Sequence, residues 1–168
     1  MAARDVRKNL NLFVDGRGFA GQIEDFNPPK LALKTEEFRG GGMDSSIDIK
    51  MGIEKLEASF NLIAYDAGVL ALWGVANGNS VQFTAREALE SHDGTVTAVA
   101  HKMQGRIHTA DPGTSKPGDM AKLQITLALT YYKLEHGGVV LQEIDVPNMI
   151  HKVNGVDVLA AQRAALAI

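Results

Sequence analysis

The sequence predicts a mainly β domain: two packed antiparallel sheets forming a barrel-like sandwich, with one internal helix and a C-terminal helix. Two observations carry this. The apolar residues recur mostly at period two, the spacing of a strand with one buried and one wet face. Glycine, asparagine, aspartate and proline clusters cut the chain between these runs, as hairpins and loops require. With 168 residues, no internal repeat and no linker-like stretch, a single domain over residues 1–168 is expected.

The elements follow in order. Asn11–Val14 and Phe19–Phe26 flank Asp15-Gly16-Arg17-Gly18, a hairpin signal. Pro28 and Pro29 mark a loop over 27–30, and Arg39 to Ser46 form a second loop with three successive glycines. Ile47, Ile49, Met51 and Ile53 then alternate with Asp48, Lys50 and Gly52. Leu56, Ala58, Phe60 and Leu62 alternate with Glu57, Ser59 and Asn61. Asp66 is placed to cap a helix carrying Val69, Leu70, Leu72, Trp73 and Ala76, which Asn77-Gly78 stops. Val81, Phe83 and Ala85 alternate again, and loops over 91–94 and 111–119 follow. The longest alternation sets Ala121, Leu123, Ile125, Leu127, Leu129 and Tyr131 against Lys122, Gln124, Thr126, Ala128 and Thr130. Asn154-Gly155 reads as a turn, and Asp157 as the opening of an alanine-rich helix running to Ile168.

Composition excludes several classes of function. The chain has no cysteine, so disulfides, thiolate zinc sites and a cysteine nucleophile are ruled out. A net charge of −3 without a basic block is the wrong balance for gripping nucleic acid through its phosphates. Arg4, Arg7 and Lys8 are not followed by a secretory apolar core of usual length. The most apolar stretch, Gly68 to Ala76, falls far short of the ~20 residues of a membrane span.

Catalytic patterns dissolve on inspection. Gly16-Arg17-Gly18-Phe19-Ala20-Gly21 fits G-x-G-x-x-G, but a strand and a proline pair follow where a dinucleotide site needs a helix. Gly40–Gly42 lacks the Lys-Ser/Thr of a phosphate-binding loop. His92, His101, His108, His136 and His151 show no metal-ligand spacing. Ser91-His92-Asp93 is adjacent in sequence, whereas triads converge from distant positions. Glu36 and Glu37 point to opposite sides of a strand. No catalytic, metal or cofactor site is expected.

Several segments resemble the major tail tube family of contractile-tailed phages, which includes the R-type pyocin tubes. They are Asn9-Leu10-Asn11-Leu12-Phe13-Val14-Asp15-Gly16, Phe19-Ala20-Gly21, Pro29-Lys30-Leu31 with Lys34-Thr35-Glu36, Arg39-Gly40-Gly41-Gly42-Met43-Asp44 and Met51-Gly52-Ile53-Glu54. Further on come Asp111-Pro112-Gly113 with Lys116-Pro117-Gly118, Tyr131-Tyr132-Lys133-Leu134 and Glu143-Ile144-Asp145. Asn148-Met149-Ile150 and Val153-Asn154-Gly155-Val156-Asp157 with Leu159 complete the resemblance, which runs through nearly the whole chain in order. It implies a structural, non-enzymatic subunit that assembles with itself into hexameric rings stacked as a hollow tube. The implied partners are the sheath, baseplate and tape-measure proteins, and double-stranded DNA that passes through without specific binding. No membrane and no cofactor is implied, and the location is the virion tail, assembled in the bacterial host cytoplasm.

Three site expectations follow. The polar parity of the long strand, Lys122, Gln124, Thr126 and Thr130, is expected to face the lumen, being hydrophilic without bulk. The loop Arg39, Gly40, Gly41, Gly42, Met43 and Asp44 is expected to contact the next ring, with Met43 as an apolar plug and Arg39 as the polar anchor. The turn residues Asn154, Gly155 and Asp157 are expected to set the last helix against the domain or a neighbour. Two alternatives remain: the tube of a bacteriocin or secretion system, and a monomeric β-sandwich that binds sugar or peptide. Aromatics at only 6%, mostly at core parity, count against the second.

Overall fold

The structure is a computed structural model and describes residues 4–168. Six strands curl into a barrel that nearly closes: β1 (Val6–Val14), β3 (Ile23–Asn27), β6 (Glu57–Leu62), β7 (Val81–Glu90), β8 (Val96–Asp111) and β9 (Leu123–His136). Their order around the wall is β1-β7-β8-β9-β6-β3, all antiparallel. The two ends of the sheet meet where the Phe19 N–H donates to the Leu12 carbonyl at 2.8 Å.

The inner parity of every strand fills the barrel. Leu12, Phe60, Leu62, Ala85, Leu123, Ile125 and Leu127 have no exposed surface. Burying each large aliphatic or aromatic side chain contributes on the order of 1.5–3 kcal/mol, so this interior holds the domain together. Phe60 and Phe83 pack at 6.3 Å between ring centroids with their planes tilted by 49°, avoiding the face-to-face sandwich that aromatic quadrupoles disfavour.

β9 is the hinge of the architecture. One edge pairs with β8 throughout; the other pairs with β6 over Leu123–Ala128 and then with β10 (Val139–Asp145) over Tyr131–His136. β10 continues into β11 (Ile150–Val153) and β12 (Val156–Asp157), a wing leaving the lower half of the barrel. A separate second sheet, β4 (Leu33–Phe38) with β5 (Ile47–Ile53), forms an arm. Every residue of β4 is exposed.

Four sequence expectations are corrected. The segment 19–26 is not one strand. The hairpin pairing with β1 is confined to β2 (Arg17–Gly18); the chain then turns at Gly21, whose φ is +78°, and pairs with β6 as β3. The internal helix is one turn, α1 (Ala67–Leu70), although Asp66 caps it as expected by accepting the Val69 N–H at 2.8 Å. The C-terminal helix, α2, spans Ala160–Leu166, and Asp157 belongs to β12. In β9 the expected burial of Tyr131 falls instead on Tyr132, 2% exposed, because the strand bulges opposite Gln104–Gly105 and its parity flips after Leu129.

Candidate functional site

The outward face of the β3–β6–β9–β8 wall is polar and ordered into cross-strand rows. One row is Asp25, Asn61, Gln124 and Asp111; the next is Asn27, Ser59, Thr126 and Thr109. These rows exist because side chains alternate while the same strands bury Phe26, Phe60 and Ile125 on the other side. In each row the β3 and β6 side chains are tied to each other. The Asn61 amide donates to both Asp25 oxygens at 2.9 Å, and Asn27 donates to Ser59 Oγ at 3.2 Å.

Of the four expected lumen residues, the structure brings Gln124 and Thr126 together in this wall. Lys122 sits just before β9 at the rim, donating to both Glu24 oxygens at 2.7 and 2.9 Å. Thr130 lies lower, on the bulge, with its hydroxyl donating to the Gln104 carbonyl at 3.3 Å. The Lys122–Glu24 pairing, across 98 residues, was not legible in sequence.

The loop Arg39–Asp44 is the tip of the β4–β5 arm. It closes on itself: the Met43 N–H donates to the Gly40 carbonyl at 3.2 Å, and Arg39 Nε to the Met43 carbonyl at 3.1 Å. The Gly40 N–H points at Met43 Sδ, 3.2 Å away. Gly42 takes φ +87°, which glycine adopts without strain, and Gly41 and Asp44 are exposed. Met43 is therefore folded back and half-buried. The more exposed apolar side chain beside the tip is Phe38, 51% exposed although its ring also lies against Gly40, and the glycine pattern drew attention away from it.

At the C-terminal end, Asn154 (φ +48°) and Gly155 (φ +83°) form the two-residue turn between β11 and β12. Asp157 accepts from Arg163 at 2.5 Å and from the Leu159 N–H at 3.0 Å, and these bonds, Arg163's first, hold its carboxyl down at about 2. Arg163 also donates to the Met149 carbonyl at 2.7 Å, so one side chain ties α2 to the wing. No residue of α2 is buried.

The barrel's lower interior holds its polar exceptions. His101 Nδ1 and the Tyr132 hydroxyl are 2.9 Å apart, and the Phe26 ring meets His101 edge-on at 5.3 Å. Burial pushes the His101 pKa below its ordinary value; the neighbouring Glu87 opposes this and Arg7 reinforces it. Glu87, 5% exposed, accepts from Arg7 Nε at 3.0 Å. These groups serve packing inside the wall. Among the described residues no group of three or more His, Cys, Asp or Glu is placed to hold a metal ion, and no helix is long and apolar enough to cross a membrane.

The profile of the family described as phage tail tube protein FII matches residues 5–166. The tail tube protein of Escherichia phage P2 is 32% identical over 172 residues, covering all of both chains. The major tail tube protein of Serratia phage KSP20 is 32% identical over 157 residues, covering 92% of this chain and 91% of the other. A chain in the six-fold symmetrised baseplate of the anti-feeding prophage shares the fold, with a TM-score of 0.52 at 9% identity, over 75% of this chain and 90% of that one. The chain belongs to the phage tail tube protein FII family.

Proposed function

We propose that this chain, a structural tail tube subunit, forms hexameric rings that stack into the inner tube of a contractile tail, with the Asn27–Ser59–Thr126–Thr109 and Asp25–Asn61–Gln124–Asp111 rows lining the bore. The observation that carries the reading is that four-stranded polar wall. The two rows carry two carboxylates, Asp25 and Asp111, and no cation, and the lysine at the rim, Lys122, is paired with Glu24. A polyanion gains affinity by displacing counterions onto unpaired cations, and this wall offers few. Double-stranded DNA passes such a surface without being held. Six-fold rings match the symmetry of the anti-feeding prophage baseplate whose chain shares the fold. Its partners in the tail are the sheath, baseplate and tape-measure proteins, and assembly takes place in the host cytoplasm.

The arm supplies the contact between rings. A two-stranded ribbon with both faces wet is marginal by itself, and this one exposes Leu33, Phe38, Ile47, Ile49 and Met51. A neighbouring copy covers those side chains in the tube, with the Arg39–Asp44 tip reaching the next ring.

The chain has no cysteine, so Thr126→Cys gives a single label site in the wall. Assembled tubes are expected to react with a small maleimide and to exclude a bulky polymer-linked one, whereas dissociated subunits react with both. Equal reaction of the bulky reagent with tubes and subunits would place Thr126 on the outside and end the bore assignment.

A further inference from the structure

The two poles of the barrel carry different surfaces, and they complement each other. β3 ends and β6 begins at the pole marked by Asn27 and Ser59, so the β4–β5 arm leaves there. Its root packs lower still, where Leu33, Lys50 and Ile53 share a cavity with Ile144 and His151 of the wing. The opposite pole is marked by the Leu62–Leu123 pairing and carries the segment 112–122. That segment and Tyr65 enclose an open cavity of about 750 Å³.

Rings stacked head to tail meet through two different patches, one from each pole, because the same face never meets itself. The arm pole offers Phe38, 51% exposed, with Arg39 and Asp44 beside it. The cavity pole offers Tyr65, 58% exposed, and Met120, 70% exposed, with Lys116 and Asp119 in its wall. Among the described residues, the terminal nitrogens of Arg39 and the side chains of Asp44, Lys116 and Asp119 make no side-chain hydrogen bond or ion pair within the chain. Each pole thus presents exposed apolar side chains together with a cation and an anion that have no ion-pair partner among the described residues.

We propose that the cavity lined by Tyr65, Lys116, Asp119 and Met120 receives the arm tip of a second copy of this chain in the adjacent ring. Phe38 enters between Tyr65 and Met120, where an aromatic ring and a thioether pack well. Arg39 meets Asp119, and Asp44 meets Lys116. Water leaves the contact as it closes, which strengthens both ion pairs relative to their exposed state. This receiving site rests on the reading of the arm as the ring-to-ring contact, and names what that contact grips.

Charge exchange tests it. Arg39→Asp and Asp119→Arg are each expected to reduce mean tube length by tenfold or more in electron micrographs, and the double variant carrying both is expected to restore it. Unchanged subunit melting in the two single variants separates loss of stacking from loss of folding. If Arg39→Asp shortens tubes while Asp119→Arg leaves them at parental length, the arm contact stands and the receiving cavity is wrong. Short tubes from both single variants with no rescue in the double also overturn the pairing. If Arg39→Asp and Phe38→Asp both leave tubes at parental length, the arm itself is not the stacking element, and the reading beneath the proposal fails with it. A second arm uses the missing cysteines: Arg39→Cys combined with Asp119→Cys should give disulfide-linked ladders only in oxidised tubes, and their absence there would count against the contact.

Discussion

Gly105 on β8 lies directly against the backbone of Leu129 on β9: a Cβ at Gly105 would sit 2.8 Å from the Leu129 Cα and closer still to the Ala128 carbonyl oxygen. This close approach accompanies the bulge that skips Thr130 and turns Tyr132, rather than Tyr131, into the core. Gly105→Ala must push two backbones apart in the middle of the barrel. A loss of about 1–3 kcal/mol is expected from overpacking, measured by urea denaturation of the subunit. Parental stability would show that the strands separate freely there.

His101 makes stability depend on pH with a definite sign. Unfolded, it titrates near 6.5; folded, burial lowers that value, as it does for His151. Between the lowered native value and 6.5 the unfolded chain binds the extra proton. Stability is therefore complete above that window and falls as the pH drops through it, by at most about 1.4 kcal/mol per pH unit for each histidine. Melting temperatures taken from pH 8 down to pH 5 should decline, and His101→Gln, which can still bond the Tyr132 hydroxyl, should flatten the decline. An equally steep decline in the variant would move its origin elsewhere.

Arg7 and Glu87 form an unequal pair, the arginine side chain 61% exposed and the glutamate side chain 3%. One Glu87 oxygen, Oε1, has no hydrogen-bond partner in the structure. Removing the arginine leaves a buried carboxylate uncompensated. Arg7→Ala is expected to destabilise the subunit by about 1–3 kcal/mol, below the 3–5 of a fully buried pair because water replaces the exposed guanidinium. Adding Glu87→Gln should recover most of that loss. Additive losses in the double variant would show that the two side chains act independently.

Gly155 at φ +83° follows Asn154 at φ +48°, so both central residues of the β11–β12 turn are left-handed. Valine is a poor fit to that conformation, and Gly155→Val should cost about 1–2 kcal/mol. The damage should be local, releasing Arg163 from Met149 and α2 from the wing. Hydrogen exchange reads this as faster exchange over 156–166 with the barrel strands unchanged.

The sequence and the structure part company for identifiable reasons. Strand faces with clean alternation, such as Leu123–Leu127 and Leu56–Leu62, were legible because one residue in two must leave water. β8 was not, because its buried parity includes His101 and Gly105 rather than large apolar residues, and the extra residue His108 then shifts its register. The helix expected from Asp66 to Ala76 stops after one turn; Gly74, at φ +79°, lies outside helical geometry. At the arm tip the glycines announced a loop, but which apolar side chain projects depended on Met43 folding back onto Gly40. The Arg7–Glu87 and Lys122–Glu24 pairs join residues 80 and 98 positions apart, beyond any local pattern.

Copies of this chain are proposed to build a hollow tube whose bore is the β3–β6–β9–β8 face. Cryo-electron microscopy of the assembled protein tests it most directly. Stacked six-fold rings are expected, with Gln124 and Thr126 on the inner wall and the β4–β5 arm crossing between rings. A reconstruction with Gln124 and Thr126 packed against another protein surface, or a protein that stays monomeric at every concentration and salt, would contradict it.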